Sequence, residues 1–310
     1  MKITKAVIAV AGYGTRFIPA TKAQPKEMLP IVDKPVVQYL VEEAVDSGIT
    51  DIILVTRSGS QALEDHFDSS LELEVHLEAQ KKWEELEKVR RISKLANFIF
   101  IRQGKTMPYG NGTPLLCAKS LIASDESVVY MFGDDVVKSK VPCTKQLIDV
   151  FRQYEPAGVI AVQEVPPQEI GRYGVPKLKP GSDRNELEYI VEKPSLAHAP
   201  SNLAQLGRFV FSRKIIDVLE SLPLGRHNEL WLTDAIGRLA VTDSIIVHSI
   251  EGQWFTTGDP LRFLQTTVAF ALDRPDIGAK FAAYLRGLDL SRFADGMSDD
   301  EAVDDEEKTG

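Results

Sequence analysis

The residues with the clearest chemical potential lie near the amino end of the chain, directly after its first apolar run, residues 6–10. Gly12 and Gly14 let the backbone approach a ligand closely and leave amide groups free to face phosphate oxygens. Basic side chains follow within a few residues, at Arg16, Lys22 and Lys26. Arginine offers a rigid fork of donors and lysine a mobile point charge, and both suit phosphate. This segment is therefore predicted to hold a polyphosphate.

The spacing in this segment excludes two common nucleotide-binding loops. The dinucleotide fingerprint G-x-G-x-x-G needs a small residue where this chain has Phe17. A Walker loop needs Gly-Lys-Ser/Thr five residues after its first glycine, and that triplet is not present here. Pro19 and Pro25 also disfavour a regular helix directly after the glycines. We predict an irregular loop that lies over its ligand; the alternative is an ordinary strand-to-helix turn with solvated charges.

Several ordered segments of the chain resemble the sugar-1-phosphate nucleotidyltransferases. The signature is Gly12-Tyr-Gly-Thr-Arg16 together with Pro25-Lys-Glu-Met-Leu-Pro30. Its continuation through residues 31–39 is similar to the bacterial UTP–glucose-1-phosphate uridylyltransferases in particular. Further similar segments, spread over residues 3–285, are Asp51–Thr56, His66–Asp68, Arg102–Gly104, Val191–Pro194, Pro200–Asn202, Gly207–Arg208 and Leu232–Ile236. Agreement over so many segments in one order is very unlike a chance motif match.

The resemblance implies an enzyme that uses Mg²⁺ to join UTP to glucose 1-phosphate, giving UDP-glucose and pyrophosphate. The sugar phosphate is itself the nucleophile in an in-line attack on the α-phosphorus. Its second pKa is near ~6, so it is mostly dianionic at neutral pH and needs no general base. Repulsion between two anions must instead be overcome by positioning and positive charge. Two alternatives remain: a thymidylyltransferase acting on dTTP, and a weakly active homologue that binds sugar nucleotide and regulates a partner.

The resemblance also assigns the nucleotide side of the site. The nucleotide-binding residues that it implies are Ala11, Gly12, Gly14, Thr15, Gln103, Gly112 and Asp135. Arg16 and Lys26 are assigned to the triphosphate as catalytic cations. Gln103 matches the glutamine that reads the base, and its amide can pair with uracil and thymine equally. Gly112 belongs to a second glycine turn before a helix, where helix N-termini attract anions and polar ligands.

An acidic pair at the end of the apolar run 128–132 is the predicted metal site. Carboxylates at a strand end, close to a polyphosphate, are hard oxygen ligands for Mg²⁺. The resemblance maps Asp134 onto the metal-binding and catalytic aspartate of the family, and Asp135 is its neighbour on the opposite face. The alternative is a loop acid that caps the next turn.

The second metal ligand departs from the family pattern. Most family members carry an aspartate in a late Asp-x-Gly motif, and Thr256 stands in its place here. A hydroxyl can coordinate Mg²⁺ but brings no negative charge, so the affinity for the metal should fall. Asp259, three residues further on, is the other candidate ligand.

The sugar side is predicted from three residues. The resemblance implies that Glu192 accepts hydrogen bonds from sugar hydroxyls, that Lys193 contacts the attacking phosphate as a catalytic cation, and that Gly174 gives the hexose room. The chemistry suits the side chains, since a carboxylate accepts O–H donors and an ammonium neutralises an anion. The alternative for the acidic and basic pair is an exposed salt bridge in a turn. The histidines show no nucleophile or metal spacing and are interpreted as structural: His66, His76, His198, His227 and His248.

Composition favours a globular protein of the cytoplasm. The chain has 310 residues, of which 44% are hydrophobic and 26% charged, and no apolar run reaches membrane-spanning length. The amino end leads straight into the first strand, so we expect no signal peptide. Cys117 and Cys143 give neither a disulfide framework nor a metal spacing. We expect no membrane partner, and a reducing compartment.

The net charge of −9 is unevenly distributed. Residues 298–310 carry seven acids and one lysine, a net of −6, which leaves −3 for the rest of the chain. This tail lacks the apolar residues needed to fold, so we predict that it is disordered. A body without strong basic charge argues against nucleic acid as a partner.

Strand and helix patterns alternate along the chain. Strands are predicted at 6–10, 51–55, 98–101, 128–132, 159–165, 175–178, 187–191, 207–211 and 244–248. Helices are predicted at 36–47, 113–122, 145–154, 213–221, 231–240, 261–273 and 278–287, with a long charged helix or two at 71–93 that buries Trp83 on one face. Alternation of this kind is typical of an α/β, Rossmann-like, mixed and mainly parallel sheet with helices on both faces. The resemblance implies the same fold, that of the nucleotide-diphospho-sugar transferases (GT-A-like), with ligands at the carboxyl ends of the strands.

These patterns predict one nucleotidyltransferase domain over residues 1–290. Its nucleotide-binding half covers about 1–140 and its sugar-binding half about 141–260, followed by C-terminal helices at 261–290 and an acidic disordered tail at 291–310. We expect a homodimer or homotetramer. The helical segments at 71–93 and 261–285 are either its self-association surfaces or simply solvated faces.

Overall fold

The computed structural model describes residues 2–291, so the predicted disordered tail lies outside the described residues except for Ser291. The contacts of the chain divide it into two compact units, residues 1–266 and the residues after 266. Both the predicted nucleotide half and the predicted sugar half fall within the first unit. The predicted boundaries of a single domain over 1–290 stay a prediction.

Thirteen strands and ten helices lie within the described residues. The strands are β1 (Lys2–Val10), β2 (Pro30–Ile31), β3 (Lys34–Pro35), β4 (Asp51–Thr56), β5 (Asn97–Arg102), β6 (Glu126–Phe132), β7 (Asp135–Lys138), β8 (Gly158–Glu164), β9 (Gly174–Leu178), β10 (Leu187–Glu192), β11 (Leu203–Ser212), β12 (Ile245–Ser249) and β13 (Gln253–Thr256). The helices are α1 (Val36–Asp46), α2 (Gln61–Phe67), α3 (Leu71–Ala79), α4 (Trp83–Ile92), α5 (Thr113–Cys117), α6 (Cys143–Tyr154), α7 (Lys214–Ser221), α8 (Leu232–Ala240), α9 (Pro260–Leu272) and α10 (Gly278–Arg286). None of these helices is both long and apolar enough to span a membrane.

Seven strands form the central sheet, in the order β12-β8-β11-β6-β1-β4-β5. Strand β11 runs antiparallel to both of its neighbours, and the remaining pairs are parallel. In β4 the consecutive residues from Ile52 to Thr56 are all fully buried, and successive strand residues face opposite sides of a sheet. Both faces of the sheet are therefore covered. The predicted mixed, mainly parallel α/β fold is confirmed.

The order of the strands brings three carboxyl ends together. Ala9 of β1 pairs with Phe132 of β6, and Val10 of β1 pairs with Thr56 of β4. The residues that follow these strands, including the first glycine turn and Asp134, therefore emerge at one edge of the sheet. This is the edge at which open α/β sheets bind ligands.

The loop after β1 contains no regular α-helix, as its prolines predict. It consists of three single-turn 3-10 helices, Thr15–Phe17, Ala20–Lys22 and Lys26–Met28. Gly14 adopts a left-handed φ of +64°, and a Cβ there would lie 3.1 Å from the Thr21 side chain and 3.2 Å from that of Lys26. Glycine at this position therefore lets the loop fold back against the Lys26 side chain.

Two short ladders outside the main sheet position the rest of the site. β13 pairs antiparallel with β7, placing Thr256 opposite Asp135, and β10 pairs with β9, placing Glu192 opposite Gly174. The sequence patterns predict strands at the positions of β9 and β10, though not their pairing, and they miss β7 and β13, which have only four residues each.

The charged segment at 71–93 forms two helices, α3 and α4, separated at Lys81, which has a left-handed φ of 60°. Trp83 begins α4 and is 56% exposed. The prediction that Trp83 lies on a buried face is therefore wrong. At the first position of the helix, directly after the break, its ring is left facing solvent.

Candidate active site

A cleft of about 290 Å³ opens at the carboxyl ends of β1 and β6. Five of the residues predicted for nucleotide and metal binding line it: Ala11, Gly12, Lys26, Gln103 and Asp134. Three of these come from different parts of the chain, since the glycine turn follows β1, Gln103 follows β5 and Asp134 follows β6. The fold thus brings the glycine turn, the Gln103 amide, the Lys26 ammonium and the Asp134 carboxylate to one cleft.

The charged groups of the cleft form a close ion pair. Lys26 Nζ donates a hydrogen bond of 2.6 Å to Asp134 Oδ2, and both side chains are partly exposed. Burial lowers the pKa of Lys26, but attraction to Asp134 and Glu27 outweighs it and raises that pKa above its usual value. Burial likewise raises the pKa of Asp134, yet Lys26 holds it below the usual range. Both groups therefore stay charged at neutral pH.

Arg16 lies at the outer side of the loop. Its side chain is exposed, and Nη1 donates a hydrogen bond of 3.4 Å to the Gly258 carbonyl oxygen. Thr15, the residue before it, starts the first 3-10 helix. Arg16 thus links the first loop to Gly258, two residues after Thr256 at the end of β13.

The two candidates for the second metal ligand differ in what they face. A Cβ on Gly258 would lie 3.2 Å from Asp134 Oδ2 and 3.5 Å from Thr256 Oγ1, so both oxygens border the same small space. Thr257 fastens this arrangement, since its amide and hydroxyl both donate to the Asp134 carbonyl oxygen, at 2.7 and 2.9 Å.

Asp259 is held by arginines instead. Its Oδ2 accepts from Arg172 Nη2 at 3.1 Å and from Arg262 Nη1 at 3.0 Å, and Oδ1 accepts from the Arg262 amide. Burial raises the pKa of Asp259, and its hydrogen bonds with Arg262 more than offset this. Of the two candidates, Thr256 is the one placed beside Asp134.

The donor set fits a divalent cation only together with a nucleotide. Within the described residues there is no group of three or more His, Cys, Asp or Glu side chains that could hold a metal. Asp134 supplies one charged oxygen and Thr256 a neutral one, and divalent cations bound to substrate phosphates commonly rely on one or two carboxylates. A cation here would depend on phosphate oxygens for the rest of its shell.

Asp135 is tied to the protein interior. Its side chain is 5% exposed, with Oδ1 accepting from Trp254 Nε1 and Oδ2 from the Gly207 amide, both at 2.8 Å. Burial, together with the neighbouring Asp134, raises the pKa of Asp135 to about 6. It does not line the cleft. Its predicted part in nucleotide binding stays a prediction, and these contacts favour a role in holding the strand end.

Gly112 serves the packing of the second glycine turn. Its amide donates to the Leu230 carbonyl oxygen at 2.9 Å, and a Cβ on it would lie 2.7 Å from Leu219 Cδ2. Gly110 in the same turn has φ +130°, and a Cβ there would lie 2.3 Å from the same Leu230 oxygen. Gly110 lines the cleft and Gly112 does not, so the latter's part in nucleotide binding stays a prediction.

The predicted sugar-binding residues lie together beside the cleft. Glu192 Oε2 accepts a hydrogen bond of 2.6 Å from Thr233 Oγ1. A Cβ on Gly174 would lie 3.4 Å from Glu192 Oε2 and 3.3 Å from Thr233 Oγ1, so the glycine leaves the carboxylate open. Burial raises the pKa of Glu192, and the hydrogen bond from Thr233 offsets part of that rise. Lys193 Nζ lies 5.4 Å from the centre of the Trp231 ring, and Trp231 lines the cleft.

Sequence reasoning missed Glu27 and Trp231. Glu27 is 2% exposed and lines the cleft, and its Oε2 accepts no hydrogen bond from any described residue. Burial raises the pKa of Glu27 to about 7, although Lys26 acts in the opposite direction. Glu27 belongs to the same motif as Lys26, but nothing in the sequence indicates that its carboxylate is buried.

The sequence is similar to known nucleotidyl transferases along most of its length. The profile of the nucleotidyl transferase family matches residues 5–271. The UTP–glucose-1-phosphate uridylyltransferase of Staphylococcus epidermidis is 46% identical over 293 residues, which cover 93% of this chain and 99% of that protein. The enzyme of the same name from Bacillus subtilis is 44% identical over 288 residues, covering 93% and 97%. Among solved structures, a UTP-bound UDP-glucose pyrophosphorylase of Acinetobacter baumannii superposes with a TM-score of 0.85 at 36% identity, covering 93% of this chain and all of that one.

Proposed function

The chain belongs to the nucleotidyl transferase family, and from that premise we propose that it joins UTP to glucose 1-phosphate, forming UDP-glucose and pyrophosphate. The resemblance to UTP–glucose-1-phosphate uridylyltransferases is confirmed by relatives that match nearly its whole length. UTP is the nucleotide in a closely similar solved structure. These relatives favour UTP over dTTP. The Gln103 amide alone does not distinguish the two, since it can pair with uracil and thymine equally.

The observation that carries the proposal is the composition of the cleft. Gly12, Lys26, Gln103 and Asp134 all line it, and a Cβ on Gly12 would lie 3.8 Å from Lys26 Cε. A nucleoside triphosphate needs a hydrogen-bonding partner for its base, a cation for its phosphates and a carboxylate for the metal ion that accompanies it. The cleft offers Gln103, Lys26 and Asp134 for these three roles. Lys193 contacts the ring of Trp231, which lines the cleft, and Glu192 is hydrogen-bonded to Thr233, two residues further on. A sugar phosphate therefore has a place beside the nucleotide.

In the reaction, a phosphate oxygen of glucose 1-phosphate attacks the α-phosphorus of UTP. A new P–O bond forms, the bond between the α- and β-phosphates breaks, and pyrophosphate leaves with the electron pair. Lys26 and Arg16 stabilise charge on the triphosphate, and Lys193 offsets the charge of the attacking phosphate. Since the nucleophile is already an anion, no side chain has to remove a proton.

Enzymes of this family generally use a divalent metal, which we propose is Mg²⁺ here. Asp134 would hold it, with the Thr256 hydroxyl beside it, and the ion would neutralise charge on the phosphate oxygens. Glu192 accepts hydrogen bonds from sugar hydroxyls, and Gly174 leaves the space in which the hexose approaches that carboxylate.

The test is a panel assay on the purified protein. UTP, dUTP and dTTP are each combined with glucose 1-phosphate or galactose 1-phosphate in the presence of Mg²⁺, and nucleotide sugar and pyrophosphate are quantified. The proposal predicts the highest kcat/KM for UTP with glucose 1-phosphate, and equal amounts of UDP-glucose and pyrophosphate. A preference for dTTP would identify a thymidylyltransferase. Binding of UTP without release of pyrophosphate would identify a regulatory homologue and overturn the proposal.

Two further properties belong to the proposal. We propose a cytoplasmic location, supported by Cys117 and Cys143, which are both free thiols. We also propose a homodimer or homotetramer, to which exposed apolar side chains on α3, Leu71 and Val75, would contribute contacts. Sedimentation of the full chain tests the second point, and a monomer at micromolar concentration would contradict it.

A further inference from the structure

Trp231 stands between the nucleotide cleft and the predicted sugar residues. Its side chain lines the cleft and is partly buried, and its Nε1 donates a hydrogen bond of 3.1 Å to the Arg226 carbonyl oxygen. The residue directly precedes α8, whose first turn contains Thr233. The ring plane is thus fixed both by its own hydrogen bond and by the start of a helix.

The ammonium of Lys193 rests on this ring. Lys193 is an exposed residue with a left-handed φ of 45°, and its amide donates to the Tyr173 carbonyl oxygen at 3.0 Å. Its Nζ lies 5.4 Å from the centre of the Trp231 ring, within the range of a cation–π contact. Among the described residues the Lys193 side chain forms no salt bridge.

The neighbouring carboxylate, that of Glu192, forms a hydrogen bond with a different residue. Glu192 is adjacent in sequence, but its Oε2 accepts the hydroxyl of Thr233 at 2.6 Å. Lys193 therefore differs from Lys26, whose ammonium is paired with Asp134. Burial raises the pKa of Glu192 and attraction to Lys193 offsets part of that rise, but among the described residues no salt bridge occupies the Lys193 ammonium. An aromatic face attracts a cation without neutralising it, so this ammonium can still bind an incoming anion.

We propose that Trp231 is a positioning residue that holds the Lys193 ammonium where the attacking phosphate of the sugar substrate binds. The inference rests on the proposed function and adds a residue that acts through another. It predicts that replacing Trp231 changes the KM for glucose 1-phosphate more than the KM for UTP, although the ring borders the nucleotide cleft. If Trp231 had only a structural role, its replacement would change both KM values alike or lower the stability of the fold alone.

The test is a double-mutant cycle on the full chain. Trp231→Leu, Trp231→Phe, Lys193→Met and the double variant Trp231→Leu/Lys193→Met are assayed for kcat and for the KM of each substrate. Trp231→Leu should raise the KM for glucose 1-phosphate about 2- to 30-fold, the span from an exposed to a desolvated cation–π contact, and change the KM for UTP less than about twofold. Trp231→Phe should lie between Trp231→Leu and the unaltered protein. In the Lys193→Met background, Trp231→Leu should add no further effect.

The matched control is Trp83→Leu, because Trp83 is an exposed tryptophan on α4 and does not line the cleft. It should leave both KM values unchanged. Effects of Trp231→Leu and Lys193→Met that multiply would overturn the role of Trp231, as would equal changes in both KM values. These outcomes require an unaltered protein that makes UDP-glucose. If the unaltered protein makes none, it is the proposed function that fails.

Discussion

Lys26 and Asp134, which both line the cleft, form a direct ion pair with Nζ and Oδ2 2.6 Å apart. One is the cation assigned to the triphosphate and the other the carboxylate assigned to the divalent metal. A metal-bound nucleotide would bring negative phosphates to Lys26 and a positive metal ion to Asp134. The site is therefore electrostatically prepared for its ligands before they arrive.

Removing the charge of Lys26 tests this arrangement. Lys26→Met should lower kcat about 10²-fold or more, because a preorganised cation on the charge that builds up in the reaction is lost. Steady-state kinetics with UTP and glucose 1-phosphate gives the value. Lys22→Met is the matched control: although Lys22 is also a basic residue of this loop, it is exposed and does not line the cleft, so kcat should stay near normal. A Lys26→Met enzyme with a near-normal rate would remove Lys26 from the mechanism.

Thr256 offers a gain-of-charge experiment. Its Oγ1 and Asp134 Oδ2 border the same space next to Gly258, so Thr256→Asp should add a charged ligand and lower the Mg²⁺ concentration at half-maximal rate. Titration of activity with Mg²⁺ measures this. Asp259→Asn should leave the requirement unchanged, because Asp259 is bound by Arg172 and Arg262. An unchanged or higher requirement in Thr256→Asp would show that this position does not face the metal.

Glu27 predicts a dependence of stability on pH. Burial raises its pKa to about 7 in the folded chain, from an ordinary value of about 4.5. Between these values the folded state binds the proton more tightly than the unfolded state, so the contribution of Glu27 is present below pH 4.5 and is lost as the pH rises through 7. The shift corresponds to about 3 kcal/mol.

Urea unfolding of the unaltered protein and of Glu27→Gln at pH 5, 6, 7 and 8 measures this contribution. The unaltered protein should lose stability relative to Glu27→Gln over that range by up to about 3 kcal/mol. Parallel pH profiles would contradict the raised pKa of Glu27.

Gly174 should act on the sugar alone. A Cβ there would lie 3.3 Å from Thr233 Oγ1, a tight contact, and 3.4 Å from Glu192 Oε2. Gly174→Ala should therefore disturb this hydrogen-bonded pair and fill space beside the carboxylate, raising the KM for glucose 1-phosphate about tenfold, the effect of losing roughly one hydrogen bond. The KM for UTP should stay the same. Gly237→Ala is the control, because a Cβ there would meet nothing closer than 3.8 Å. Equal KM changes for both substrates would place Gly174 outside the sugar site.

What the sequence predicts well is local. The glycine turn after β1, the acid after β6 and the basic residues between them follow from short-range rules, and the alternation of strands and helices predicts the sheet that brings them to one edge. The contact of Lys193 with Trp231 joins residues 38 positions apart, and no pattern in either segment indicates it.

Two further features need the folded chain. The β7–β13 ladder that places Thr256 near the acidic pair is built from strands of four residues, too short for a clear alternation. Glu27 is a charged residue in a polar segment, so its burial becomes visible only when Gly133 packs against it, with a Cβ on Gly133 falling 2.9 Å from Glu27 Cγ.

The central claim is that the cations of the first loop hold the triphosphate beside Asp134. A crystal structure of this protein with a non-hydrolysable UTP analogue and Mg²⁺ tests it most directly. The account predicts Lys26 Nζ and the Arg16 guanidinium within about 3 Å of phosphate oxygens, the distance of a charge-assisted hydrogen bond, with the cation on Asp134. Phosphates bound elsewhere, with Lys26 and Arg16 both facing solvent, would contradict it.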